Sequence, residues 1–165
     1  MELKKKDLIT SAIFLALAII FTLGIHFTKF NGAIFSPMHL PVLLCGFILG
    51  PGYGFIIGIL SPIINSLLKV IPTFPVAWSI VVEVGLYGLM SGLLYKKSGM
   101  KIIPALIGSM IIGKLGGALI LSKALGKSIK IITFLAIPGI IIQLVLVPLI
   151  IKIYEKKTRT IIALE

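Results

Sequence analysis

The sequence predicts an all-α, polytopic membrane protein whose six transmembrane helices form one domain over residues 1–165. Three observations predict it. Hydrophobic residues make up 58% of the chain and mean hydropathy is +1.18, more apolar surface than a soluble core needs. These residues fall in six long runs. The runs do not alternate apolar and polar side chains as barrel strands would. Helices, which satisfy their own backbone groups inside lipid, are therefore the expected element. Finally, of the 16 Lys and Arg residues only Lys114 lies inside a run; the rest stand between runs or at their ends.

Span one covers about Leu8–Ile25. The basic stretch Met1–Asp7 before it has no small-residue cleavage site, so it reads as the start of a retained span and not as a removed signal. Span two runs over about Ala33–Leu49 and is short. It is ended by the turn Gly50-Pro51-Gly52, because Pro lacks an N–H donor and Gly permits unusual dihedrals. Span three covers about Tyr53–Leu68, span four Val76–Leu94, span five Ile102–Leu121 and span six Ile131–Tyr154. A crossing helix needs about 20 apolar residues, with ~17 a practical minimum. Six such helices use nearly the whole length and leave no room for a soluble domain, and no internal repeat, low-complexity tract or linker is visible.

Charge sets the expected orientation. With an even number of spans both termini share a side, and that side holds Lys4, Lys5, Lys6, Lys96, Lys97, Lys101, Lys152, Lys156, Lys157 and Arg159. The other side holds Lys29, Lys69, Lys123, Lys127 and Lys130. The imbalance places both termini in the cytoplasm of a cell whose plasma membrane carries the protein. A net charge of +11 in a soluble protein would suggest nucleic acid. Here the cations sit in loops and tails, where anionic headgroups are the simpler partner. The single Cys45 excludes an internal disulfide, no Cys/His cluster points to a metal, and no cofactor is implied.

Ionisable residues inside spans are costly, roughly 2.5 to 3.5 kcal/mol at the bilayer centre on insertion scales, so Glu83 and Lys114 are the first candidates for a site. Each lies on the order of 10 Å beneath the outer surface, on consecutive antiparallel helices. They form either a self-neutralising structural pair or a pair of charges that reads a polar ligand in an outward cavity. Asn65 on span three and Gln143 on span six need hydrogen-bond partners; for Gln143 the expected partner is a neighbouring helix. Trp78, at the outer end of span four, is an interfacial anchor or a stacking surface at a cavity mouth. Tyr87 lies deeper and reads as core. His39 follows Pro37-Met38 at the outer end of span two, without a companion metal ligand. Phe27, Phe30, Asn31 and Phe35 fall in the first outer loop, which either lies on the interface or closes over a cavity as a lid.

Small residues recur at helical spacing. Gly46, Gly50, Gly54 and Gly58 run through spans two and three, Gly88 and Gly92 lie on span four, and Gly113 and Gly117 on span five. Such residues let backbones approach where lipid gives helices no hydrophobic drive to associate. Packing within the bundle is the expected role of the glycines. The pair Ala12 and Ala16 on span one fits an intermolecular contact as well.

The run Ser36-Pro37-Met38-His39-Leu40-Pro41-Val42-Leu43-Leu44, then Gly46-Phe47-Ile48-Leu49-Gly50-Pro51 and Ser61-Pro62, resembles the substrate-binding S components of energy-coupling factor (ECF) vitamin transporters. It is most similar to the group that includes pantothenate- and pyridoxine-type members. Length, six helices, basic ends and the Ala-xxx-Ala pair extend the likeness over nearly the whole chain. The resemblance implies an S-component-like bundle in a prokaryotic plasma membrane, with a vitamin held in an outward-facing pocket under the first outer loop. It also implies a transmembrane coupling protein and two cytoplasmic ATPases as partners, docked on the Ala12 and Ala16 face. The chain has no Gly-rich phosphate loop with Lys-Ser/Thr and so supplies no ATPase. On this reading Lys114, Glu83, Asn65, Trp78, His39 and Asn31 line the substrate site. Lys114 suits a carboxylate, and pantothenate is favoured over pyridoxine or another small vitamin. Two alternatives stand beside it. A stand-alone carrier or pore would need a polar stripe along several helices, whereas the polar residues cluster in the outer halves. An intramembrane enzyme would need a nucleophile–base pair or metal set, and none is evident around His26, His39 and Cys45.

Overall fold

Residues 5–27, 37–68, 76–125 and 137–162 are described by the computed structural model, and they are helical with short connections. In chain order the helices are α1 (Lys5–Phe27), α2 (His39–Leu49), α3 (Pro51–Leu67), α4 (Val76–Gly92), α5 (Ile102–Leu125) and α6 (Ile137–Ile162). A π-helical turn, Leu93–Lys97, extends α4. The predicted starts of spans two and six, 33–36 and 131–136, lie outside the described residues. Successive helices run antiparallel, so the start of α1 and the end of α6 share one end of the bundle, the terminal end, while Phe27, Leu67 and Leu125 lie toward the other.

Four helices are long and apolar enough to cross a bilayer: Lys5–Phe27, Val76–Lys97, Ile102–Ala124 and Ile137–Thr160. The protein is thus a multi-pass membrane protein. The other two are shorter. With 11 residues α2 spans about 16 Å, and with 17 residues α3 spans about 25 Å, against a hydrocarbon core of ~30 Å. Burial explains why α2 can be short. His39 and every residue from Pro41 to Phe47 are buried, on all sides of the helix, as expected of an element enclosed by protein and not by lipid. Two apolar clusters flank it. Ala18, Met38, Val42, Cys45, Tyr53, Ile57 and Val84 join α1, α2, α3 and α4. Leu43, Leu44, Phe47, Tyr87, Ala105, Leu106, Met110, Val147 and Ile151 join α2, α4, α5 and α6.

The sequence suggests a three-residue turn after α2; the structure reduces it to Gly50 alone. Gly50 has φ 103° and ψ 178°, a conformation essentially confined to glycine, and Pro51 already begins α3, where its missing N–H is harmless. Above this break α2, α3 and α4 meet backbone to backbone. A Cβ built on Gly54 would lie 2.8 Å from Gly46 Cα and 2.8 Å from the Gly88 carbonyl carbon. One turn further, a Cβ on Gly58 would lie 2.8 Å from Gly85 Cα. Ser91 stitches the same seam, its hydroxyl donating to the Leu43 carbonyl at 3.4 Å and the Gly88 carbonyl at 3.1 Å. At the terminal end, the Tyr95 hydroxyl donates to Glu155 and ties α4 to α6.

Candidate functional site

Helix periodicity puts Glu83 and Tyr87 one turn apart on the same face of α4. Glu83 Oε1 gathers three partners: Lys114 Nζ of α5 donates at 2.8 Å, the Tyr87 hydroxyl donates at 3.3 Å, and His39 Nε2 at the start of α2 stands at 3.3 Å. The His39 ring also meets Tyr87 edge-on, centroids 5.0 Å apart. Glu83, His39 and Tyr87 are buried, and the Lys114 side chain is 13% exposed. Glycines on α5 make the approach possible. A Cβ on Gly117 would lie 2.7 Å from Glu83 Oε2, and one on Gly113 would lie 2.8 Å from the Glu83 carbonyl oxygen. The two glycines flank Lys114 and leave the space that the carboxylate fills.

A lone carboxylate at this depth is prohibitively costly; an ammonium partner, the Tyr87 hydroxyl and the adjacent His39 ring offset that cost. With His39 neutral the cluster has no net charge, and with His39 protonated it is cationic. An ammonium carries three N–H donors, and one of Lys114's is directed at Glu83. The arrangement can therefore exchange partners. A ligand carboxylate can take Lys114 while Glu83 keeps Tyr87 and His39, and a ligand hydroxyl can share the Glu83 oxygens.

Glu83 and Lys114 pair with each other, and His39 joins them. Tyr87 belongs to the cluster although the sequence suggests plain core; its position four residues after Glu83 is the signal. Asn65 lies elsewhere. Its Nδ2 donates to the Ser61 carbonyl at 2.9 Å and to Thr22 Oγ1 of α1 at 3.5 Å. Asn65 Oδ1 and Ser61 Oγ, both buried, have no hydrogen-bond partner among the described residues. Trp78 is 58% exposed and, five positions before Glu83, stands on another face of α4. Asn31, Phe30 and Phe35 lie outside the described residues, and Phe27 is exposed. Gln143 is buried, its Oε1 without a partner among the described residues. On α1, Ser11, Ala18 and Thr22 face the bundle while Ala12 and Ala16 are exposed with Ile9, Ile13 and Ile20.

A family model described as the substrate-specific component of the ECF transporter matches residues 6–152. The chain belongs to this family. No match was found among curated proteins or among solved structures. ECF substrate-specific components are transporter subunits and not enzymes; they bind small substrates and work with a module of a coupling protein and ATPases.

Proposed function

We propose that this ECF substrate-specific component binds a small water-soluble vitamin, pantothenate first and pyridoxine next, in an outward-facing pocket built on Glu83, Lys114 and His39. Uptake is driven by a transmembrane coupling protein and two cytoplasmic ATPases. The observation that carries this reading is the convergence of Lys114, Tyr87 and His39 on one buried carboxylate, in a membrane subunit whose family binds small substrates. The pantothenate carboxylate takes Lys114, and the Glu83 oxygens accept from its hydroxyl groups; Asn65 and Trp78, expected from the sequence to line the same pocket, stand apart from this cluster. All six helices cross the membrane of a prokaryotic cell, with both termini in the cytoplasm on the more cationic side.

Calorimetric titration of the purified chain tests the ligand. Pantothenate is expected to bind more tightly than pyridoxine, and Lys114→Met to weaken pantothenate at least tenfold, since a charge-assisted hydrogen bond is worth about 1.5–3 kcal/mol. Absence of tight binding by any vitamin would sink the reading. Accumulation of vitamin by liposomes containing this chain alone would replace it with a stand-alone carrier.

Docking is assigned to the exposed Ala12 and Ala16 face of α1, where small residues admit a close partner helix. Ala12→Leu/Ala16→Leu is expected to abolish ATP-driven uptake in cells while leaving vitamin affinity unchanged. Undiminished uptake would remove this assignment.

A further inference from the structure

We propose that the terminal end of α6 holds a binding site for the phosphate-bearing headgroup of an anionic phospholipid. With 26 residues α6 is about 39 Å long and outruns a hydrocarbon core of ~30 Å. Along one face Ile141, Val145, Leu149 and Ile153 recur every four residues, each more than half exposed; this is a stripe made for acyl chains. Where it ends, a cleft of about 460 Å³ opens, lined among the described residues by Lys152, Glu155, Lys156, Arg159 and Thr160. Tyr154, 46% exposed, stands at the boundary, the level at which aromatic side chains meet headgroups.

The charge of the cleft is unbalanced. Three cations face one carboxylate, and that carboxylate accepts the Tyr95 hydroxyl from across the α4–α6 seam. Among the described residues the ion pairs are those of Glu83, so Lys152, Lys156 and Arg159 line a cleft whose one carboxylate, Glu155, pairs with none of them and accepts the Tyr95 hydroxyl instead. Two ammonium groups and a guanidinium match the oxygens of a phosphate; the Thr160 hydroxyl beside them donates to the Lys156 carbonyl at 3.0 Å. One continuous face that is first apolar and then cationic matches the two halves of one lipid molecule. A free phosphate ion would use only the cationic half, and so would an acidic soluble protein. Juxtamembrane basic clusters attract anionic leaflets in general; here the cleft and the Tyr95–Glu155 tether make a local site within that field.

The test reconstitutes the full chain in bilayers of mixed phosphatidylglycerol and phosphatidylcholine and counts the lipids retained on extraction by native mass spectrometry. Phosphatidylglycerol is expected to be retained selectively. Lys152→Gln/Lys156→Gln/Arg159→Gln should weaken retention about a hundredfold, since each basic group near an anionic surface contributes roughly fivefold. Lys96→Gln/Lys97→Gln/Lys101→Gln removes the same charge from the same end outside the cleft and should have a far smaller effect. Tyr95→Phe removes no cation, yet it frees Glu155 to pair with Arg159 one turn away, and retention should fall severalfold. Equal loss in the two triple variants would overturn the site in favour of a diffuse field. Displacement of the lipid by inorganic phosphate would reduce it to an ion site. A Lys152/Lys156/Arg159 variant that keeps its lipid but fails to assemble with the coupling protein would give the face to a protein partner instead.

Discussion

Glu83→Ala is expected to destabilise the protein by about 3–5 kcal/mol, the usual cost of leaving buried charge without its partner. The loss arises less from the missing contacts than from Lys114, which would be left charged within the bundle, and from the Tyr87 hydroxyl, which loses its acceptor. Glu83→Gln keeps the shape and one acceptor and should cost less. Glu83→Leu/Lys114→Met removes both charges and should recover most of the stability, because an apolar pair of similar volume is often as stable as a buried ion pair. It should not recover vitamin binding. Thermal unfolding in detergent, paired with calorimetric titration, separates the two effects. A Glu83→Ala variant that melts like the parent and binds vitamin normally would show that the cluster matters for neither stability nor recognition.

Gly88→Val is expected to prevent accumulation of the folded protein altogether. A Cβ at Gly88 would drive into the Gly54 backbone and lie 3.0 Å from its Cα, and neither helix backbone can swing aside as a side chain would. Overpacking of ordinary cores costs about 1–3 kcal/mol, and a clash between backbones should exceed that range. Gly24→Val is the control. Gly24 lies on the exposed side of α1 with no atom within 4 Å of its would-be Cβ, so its melting temperature should stay near the parent's. Size-exclusion profiles of membrane extracts would report the contrast, and a monodisperse Gly88→Val peak of normal yield would contradict the close crossing.

The membrane class was readable because lipid imposes one rule on every residue: charges leave the spans. Glu83 and Lys114 stood out against that background, and equal depth on adjacent antiparallel helices was enough to suggest that they meet. His39 was a candidate for its place at the outer end of span two. Other features were illegible for physical reasons. Hydropathy does not distinguish a side chain facing lipid from one facing another helix, so the apolar run marks span two as short but not as enclosed by its neighbours. Gly50-Pro51-Gly52 reads as a turn, but a proline at the first position of a helix is as favourable as one in a loop. Tyr87 looked like core because burial is all that an apolar run reveals; its hydroxyl acquires a role only once Glu83 lies one turn away. The Thr22 contact of Asn65 joins helices separated by more than forty positions, and no local spacing reveals it.

The glycine seam also constrains how the protein can change shape. Helices locked main chain to main chain cannot slide past one another, so α2, α3 and α4 behave as one solid wedge. His39 and Glu83 both ride on that wedge, whereas Lys114 belongs to α5. Gly113 and Gly117 seat α5 on α4 as well, so under the proposed function a solute parts the lysine from the glutamate by a swing of the Lys114 side chain, while the histidine stays beside Glu83. In mechanical terms the 2.8 Å bond is the latch, and the 3.3 Å contact is part of the frame.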